Sequence, residues 1–572
     1  MKRLPLVVLC GLLLSGSSPQ LPNNGVLERE LQSLTDRGLH VQLLGEVVEA
    51  TDPVSGETWH FSMKKLMPKT PPYTGLPTLT IDLRTLDTNQ FNWKFRYENS
   101  LPISSDWGFP LQVRDIDGNA KAEAYGVYQT QSDYFTQIYD RNDNTNWSHR
   151  FTYPIDTGVP DKSSDIDGNG RKEIYCRYRD SLFVFEQVAA NSLPVLGKFR
   201  YRQWFYGASG IPNQLFDINN DSYPEVLFQG TEPDTANPPF GYVNKTYIAK
   251  YIPSMNNLVR IWSAQLPINC VAEGCAAAIA CGDFDGDGLQ EFVTSAQEGG
   301  VFVVEQSTQD SFLVVWSDST PVGWRAASGD VDGNGVTEFF VGGTQPEADG
   351  FVHLRAYAFE RTGDNAYQPV FEFNIFPVGL FFVDLYQTVD VDGDDIPELI
   401  LSFGGGPVII RGIGSHNYEV FYYTPAGYLD AATAVTIGNE KGAHLFVSRH
   451  LGGQPIVKRT DVYSLDSSLV SVVESGHTPN IVMLTQNFPN PFNGSTNIQF
   501  NLKSREFVRL TIHDITGKEV ARLVELEQQP GSHTVTWNPV DPQILNELAS
   551  GIYFYKFTVG KRSFARKMVY LK

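Results

Sequence analysis

Between Asp283 and Glu291 the chain reads Asp-Phe-Asp-Gly-Asp-Gly-Leu-Gln-Glu, with carboxylates at places one, three, five and nine and glycine at four and six. This is chemistry for a hard cation. Ca²⁺ takes six to eight oxygens, and a short acidic loop supplies them if it folds back on itself. Glycine permits that, because a positive φ costs it little. The pattern recurs in the same register. Asp115, Asp117, Asn119 and Glu123 hold the oxygen-bearing places of the first copy, and Asp165, Asp167, Asn169 and Glu173 those of the second. Asp217, Asn219, Asp221 and Glu225 form the third, where Asn220 and Ser222 stand at the glycine places. Beside Asp283, Asp285, Asp287 and Glu291 come Asp330, Asp332, Asn334 and Glu338, then Asp390, Asp392, Asp394 and Glu398. Ala120 replaces the second glycine of the first copy. The seventh place carries Lys121, Arg171, Tyr223, Leu289, Val336 and Ile396, whose side chains share no chemistry, so the ligand expected there is the backbone carbonyl. A single copy is a chance acidic turn. Six in one register are a set of structural calcium sites.

The elements that must position these loops are strands. An EF-hand places its last carboxylate at the twelfth position between two helices. Here glutamate comes ninth and is followed by runs such as Val226-Leu227-Phe228, Phe339-Phe340-Val341 and Leu399-Ile400-Leu401. The first aspartate falls at 115, 165, 217, 283, 330 and 390, a repeat of about 50–65 residues, and each repeat offers three further strand-like stretches. Each unit is therefore read as four antiparallel strands with the metal loop between the first two. Units of this kind bury their faces against one another as the blades of a β-propeller. A seventh copy, Thr436 to His444, keeps the register but has lost three carboxylate places, so that blade is expected to be metal-free with His444 at the surface.

The fold class is thus all-β: a seven-bladed, alternatively eight-bladed, propeller over 76–477, followed by a small Ig-like β-sandwich over 486–572 with a linker at 478–485. Residues 20–75 are an N-terminal segment. Leu79–Tyr97 reads as the last two strands of a blade, so this region either closes the ring or, with Val47–Met63, adds an eighth blade. Residues 1–19 read as a secretory signal peptide: a basic start, a short apolar run at Leu4–Leu14, and small residues after it. A net charge of −21 argues against nucleic acid or anionic membrane as partner, and six divalent ions would offset more than half of it. In an oxidising compartment Cys270 and Cys275 could close a small disulfide loop, whereas Cys176 and Cys281 read as buried residues on strands.

The Asp-x-Asp-Gly-Asn/Asp-Gly-x-x-Glu loops resemble the FG-GAP, or VCBS-type, repeats of integrin-α-like propellers. That resemblance implies seven blades with Ca²⁺ in the loops between first and second strands. The C-terminal stretch is similar to the sorting domain of type IX secretion cargo, through Leu510–Val520, Gly531–Trp537, Leu548–Tyr555 and Arg566–Lys572. It implies a diderm bacterium, passage through the periplasm and across the outer membrane by the type IX machinery, and a mature protein secreted or held at the outer surface.

Signs of catalysis are few. His-Glu-x-x-His, Gly-x-Ser-x-Gly and the phosphate-binding Gly-x-x-x-x-Gly-Lys are missing from the sequence, and the carboxylates are committed to metal. Binding has the better claim. The connections from one blade to the next carry Trp107, Trp204, Tyr206, Trp324, Phe376 and Tyr428, rings suited to stacking on sugars or anchoring a protein. The expectation is a monomeric, calcium-stabilised propeller that recognises a glycan or an extracellular protein, with no catalytic residue. The alternative is an extracellular polysaccharide lyase on the same scaffold.

Overall fold

The computed structural model describes residues 31–572 apart from 63–68, 105–110, 203–211, 234–241, 265–277, 451–457, 467–482, 540–547 and shorter stretches at other turns. The chain divides into two compact units, Met1–Val472 and Val473–Lys572.

Among the described residues, the first unit holds seven sheets that follow one another along the chain, preceded by a small three-stranded one. Six occupy residues 112–156, 160–202, 212–264, 278–318, 325–376 and 383–423, and each pairs its four strands in sequence order and antiparallel. The seventh pairs Leu429–Val435, His444–His450 and Lys458–Leu465, and takes its fourth strand, Phe95–Leu101, from the N-terminal side. First strands of successive sheets lie side by side, from Gln112–Arg114 through Pro160–Ser164 to Leu429–Val435.

Successive side chains of a strand point to opposite faces. A strand held between two other sheets therefore needs apolar residues on both, and this explains the unbroken apolar runs after each loop. Phe339 packs into the core between the fourth and fifth sheets, and its neighbour Phe340 into the next core along. Ile174 and Tyr175 divide in the same way between the first and second seams. Leu101, Val113, Ala124, Phe446 and Val462 share one core, which joins the seventh sheet to the first and closes the ring.

Two expectations about the N-terminal region need correction. Thr78–Asp82 and Phe95–Leu101 do not belong to one blade. The former adds a parallel fifth strand to the edge of the fifth sheet and the latter completes the seventh. Val47–Thr51 and Thr58–Ser62 pair with His40–Leu44 in a separate three-stranded sheet and supply no eighth four-stranded blade.

The second unit stacks a three-stranded sheet, Met483–Leu484 with Thr496–Leu502 and Gly531–Trp537, on a four-stranded one. The latter is made of Glu519–Gln528, Glu506–His513, Gly551–Val559 and Arg562–Tyr570. Between them lie Ile498, Phe500, Leu510, Trp537, Tyr555, Phe557 and Met568. Met483–Leu484 falls inside the stretch expected to be a linker, which is thus in part a strand of the sandwich.

Candidate metal centres

All six acidic loops connect the first and second strands of their sheets, and each ends on the first residue of the second strand. Both glycine places are left-handed in every loop. Gly118 and Ala120, Asn220 and Ser222, and Gly393 and Asp395 all have positive φ, between 56° and 81°. Non-glycine residues here adopt the conformation that the fold-back demands.

The hydrogen bonds repeat with the same fidelity. In each loop Oδ2 of the first aspartate accepts the N–H of the sixth residue, at 2.8–3.0 Å. The side-chain oxygen at place five accepts the N–H of place seven, at 2.7–3.0 Å. In five loops Oε2 of the ninth-place glutamate accepts the N–H of the second residue. The first aspartate takes loop amides on both of its oxygens in every loop. Side-chain oxygens of the acids converge: one each from Asp283, Asp285, Asp287 and Glu291 lie within 4.8 Å of one another, as do those of Asp115, Asp117 and Glu123, of Asp165, Asp167 and Glu173, and of Asp330, Asp332 and Glu338.

The ninth-place glutamates are the buried anchors, each no more than 1% exposed. Oε1 of Glu291, Glu338 and Glu398 is buried without a hydrogen-bond partner. Such orphaned acceptors are costly, and a carboxylate left among like charges avoids ionising. Burial, with Asp332 added, pushes Glu338 up to about 9. Burial likewise raises Glu123, Glu225 and Glu291 to about 8 and Glu398 well above its ordinary value. A divalent cation placed among these oxygens would satisfy the orphans and favour the charged form. At 283–291, 330–338 and 390–398 the residues fit Ca²⁺. The seventh-place residues suit the carbonyl role, since Lys121, Arg171, Tyr223 and Leu289 are exposed.

Cationic side chains distinguish the loops. Arg150 reaches Asp117 Oδ2 at 2.8 Å, Arg411 reaches Asp392 Oδ2 at 3.3 Å, and Lys250 bridges Asp221 and Asp310 at 2.5 and 3.1 Å. Each of these meets the loop through a single carboxylate. Lys198 goes further. Its ammonium lies 2.6 Å from Asp167 Oδ2 and 2.9 Å from Glu173 Oε1, and it also bonds Glu186.

A second repeated feature escaped the sequence reading. The turn between third and fourth strands carries a left-handed non-glycine residue in five consecutive sheets: Asn191, Asn256, Asp310, Asn365 and His416. These turns reach back to the preceding loop. The Asn365 N–H donates to Asp285 Oδ2 at 2.8 Å, and the His416 N–H to Asp332 Oδ2 at 2.7 Å. Asn219 Nδ2 donates to Asp310 at 2.7 Å. The acidic loops thus sit at the seams between sheets. Asn or Asp in a short turn is the signal that could have revealed this.

His444 is not at the surface. It is buried, with Nε2 3.2 Å from an Arg141 nitrogen and 3.7 Å from Glu98, so the seam that lacks the acidic loop is joined by side chains from three strands. Trp107, Trp204, Tyr206, Trp324 and Tyr428 lie outside the described residues, as do Cys270 and Cys275. Phe376 stacks on His353 at 4.4 Å, inside its own sheet. Cys281 lies on the first strand of the fourth sheet, as expected, but is half-buried there.

The first unit is a β-propeller whose seams carry acidic loops, and the second is a sandwich of known kind. Residues 486–571 match the family described as the secretion system C-terminal sorting domain. That tail marks the chain for export by type IX secretion to the cell surface or extracellular space. No helix among the described residues is long and apolar enough to cross a membrane. Among curated proteins no significant match was found. Of solved structures, BBS1N in complex with ARL6DN is 11% identical with a TM-score of 0.38, covering 65% of this chain and 97% of its own. The V. cholerae biofilm matrix protein Bap1 is 12% identical with a TM-score of 0.36, covering 65% and 91%. The Dos1 propeller is 9% identical at 0.36, covering 73% and 89%. Likeness at these scores says nothing of function, and the propeller architecture rests on the sheet order given above.

Proposed function

We propose that this chain is a calcium-stabilised recognition propeller of the FG-GAP/VCBS type, delivered to the cell exterior by its sorting tail, where it binds a glycan or a protein. The observation that carries the calcium reading is the set of fully buried, unpartnered Glu291, Glu338 and Glu398 oxygens, the first two among converged loop carboxylates. Ca²⁺ there is structural. It ties a loop that holds it to the loop's own second strand, and at Asp285 and Asp332 the turn of the next sheet donates to the same acids. Extracellular sites of this kind bind at ~10⁻⁴–10⁻³ M, suited to a calcium-rich exterior. The recognition reading rests on the aromatic residues of the inter-blade connections, which the sequence places together at one end of the blades.

Equilibrium dialysis of the full chain against ~1 mM Ca²⁺ tests the metal reading. Several ions should bind per chain, and Glu338→Gln should bind one fewer. Uptake that Glu338→Gln leaves unchanged would remove that loop from the set. A glycan array, with hits assayed for release of unsaturated sugars, separates recognition from the lyase alternative.

A further inference from the structure

The six loops are not equivalent, and the second departs from the calcium reading on which this inference rests. We infer that Lys198 is a built-in cation that takes the place of the metal in the 165–173 loop. Its side chain rises from Pro194–Arg202, the outermost strand of the same sheet, and is 6% exposed. The ammonium lies 2.6 Å from Asp167 Oδ2 and 2.9 Å from Glu173 Oε1, a third-place and a ninth-place oxygen that a loop cation would need. It also bonds Glu186, which in turn accepts Asn169 Nδ2 at 2.6 Å. Ca²⁺ sits 2.3–2.6 Å from its oxygens. A nitrogen at hydrogen-bond distance from both acids fills that same space, and its charge repels a second cation.

The contrast with the sister loops is internal to the molecule. Glu291, Glu338 and Glu398 keep a buried Oε1 without a partner, while the equivalent oxygen of Glu173 is satisfied by Lys198. Arg150, Lys250 and Arg411 each touch one loop carboxylate and leave the ninth-place glutamate alone. Lys198 is also held from the neighbouring sheet, its ammonium 5.3 Å from the centre of the Tyr251 ring. The second loop therefore has its cation permanently attached. It keeps the carboxylate cage closed, and the seam beside it ordered, when calcium is scarce.

The test is calcium stoichiometry by equilibrium dialysis of the full chain, with thermal melting in parallel. Lys198→Met should bind one more Ca²⁺ than the native chain, melt lower in EDTA, and regain the difference on adding Ca²⁺. Unchanged stoichiometry in a folded Lys198→Met chain overturns the inference while leaving the calcium reading of the other loops intact. Should that variant fail to fold, Asp165→Asn and Asp330→Asn in the native background decide it. Asp330→Asn should lose one ion and Asp165→Asn none, and loss of an ion from Asp165→Asn overturns the inference. A native chain that takes up no calcium defeats the wider reading and this inference together.

Discussion

At the scale of single residues the loop acids serve twice. The acids that accept the loop amides are also the acids whose oxygens converge, so the same side chains make both the fold-back and the candidate site. Ala120 shows how strongly the backbone is constrained, since an L-residue at φ 65° is strained. Ala120→Gly should stabilise the first unit by about 1 kcal/mol, read as a higher denaturant midpoint at constant slope. The raised carboxyls give a pH dependence once calcium is chelated. Glu338 near 9 and Glu123, Glu225 and Glu291 near 8 in the folded chain compare with an ordinary 4.5. Between these values the folded chain holds protons that the unfolded chain has released. Their contribution to stability is therefore full below about pH 4.5 and is lost as pH rises towards 9. In EDTA the melting temperature should fall across that range, and added Ca²⁺ should rescue most at the alkaline end. An EDTA melting temperature that climbs from pH 5 to 9 would contradict this. The acidic loops themselves were legible in the sequence because each carries its oxygen-bearing residues at fixed places. The role of Lys198 was not, because it lies 25 residues beyond Glu173 and only strand pairing brings it back.

At the scale of elements, the repeat interval and the apolar runs after each glutamate were enough to give four-stranded sheets with the loop between the first two strands. Closure by the N-terminal segment was legible only as one of two alternatives, and its pairing was not. Phe95–Leu101 alternates as any edge strand would, and nothing local says that its partner is Lys458–Leu465, more than three hundred residues away. The same holds for Thr78–Asp82, whose parallel pairing with the edge of the fifth sheet is set by packing rather than by pattern. His444 was misplaced for a similar reason: its neighbours Glu98 and Arg141 come from distant strands. The closing strand carries buried Phe95 and Leu101. A chain starting at Pro102 should leave the Lys458–Leu465 edge unpaired and give an aggregating product. Sedimentation of the truncated chain as a folded monomer with native melting would refute this role.

At the scale of the molecule, two units have separate tasks. The sandwich of Val473–Lys572 has its own core and the sorting-domain match, so removal of residues 486–572 should strand the propeller in the periplasm. Cell fractionation reads this directly, and normal surface delivery of the truncated chain would exclude an essential role for the tail. The propeller depends on seams between sheets, and the acidic loops lie on those seams. Its stability should therefore follow calcium by mass action, whereas that of the sandwich should not. Calorimetry of the full chain in ~1 mM Ca²⁺ and again in EDTA measures this most directly. Chelation should lower the propeller transition by roughly 10 °C or more and leave the sandwich transition in place. A propeller transition that EDTA does not move would contradict it.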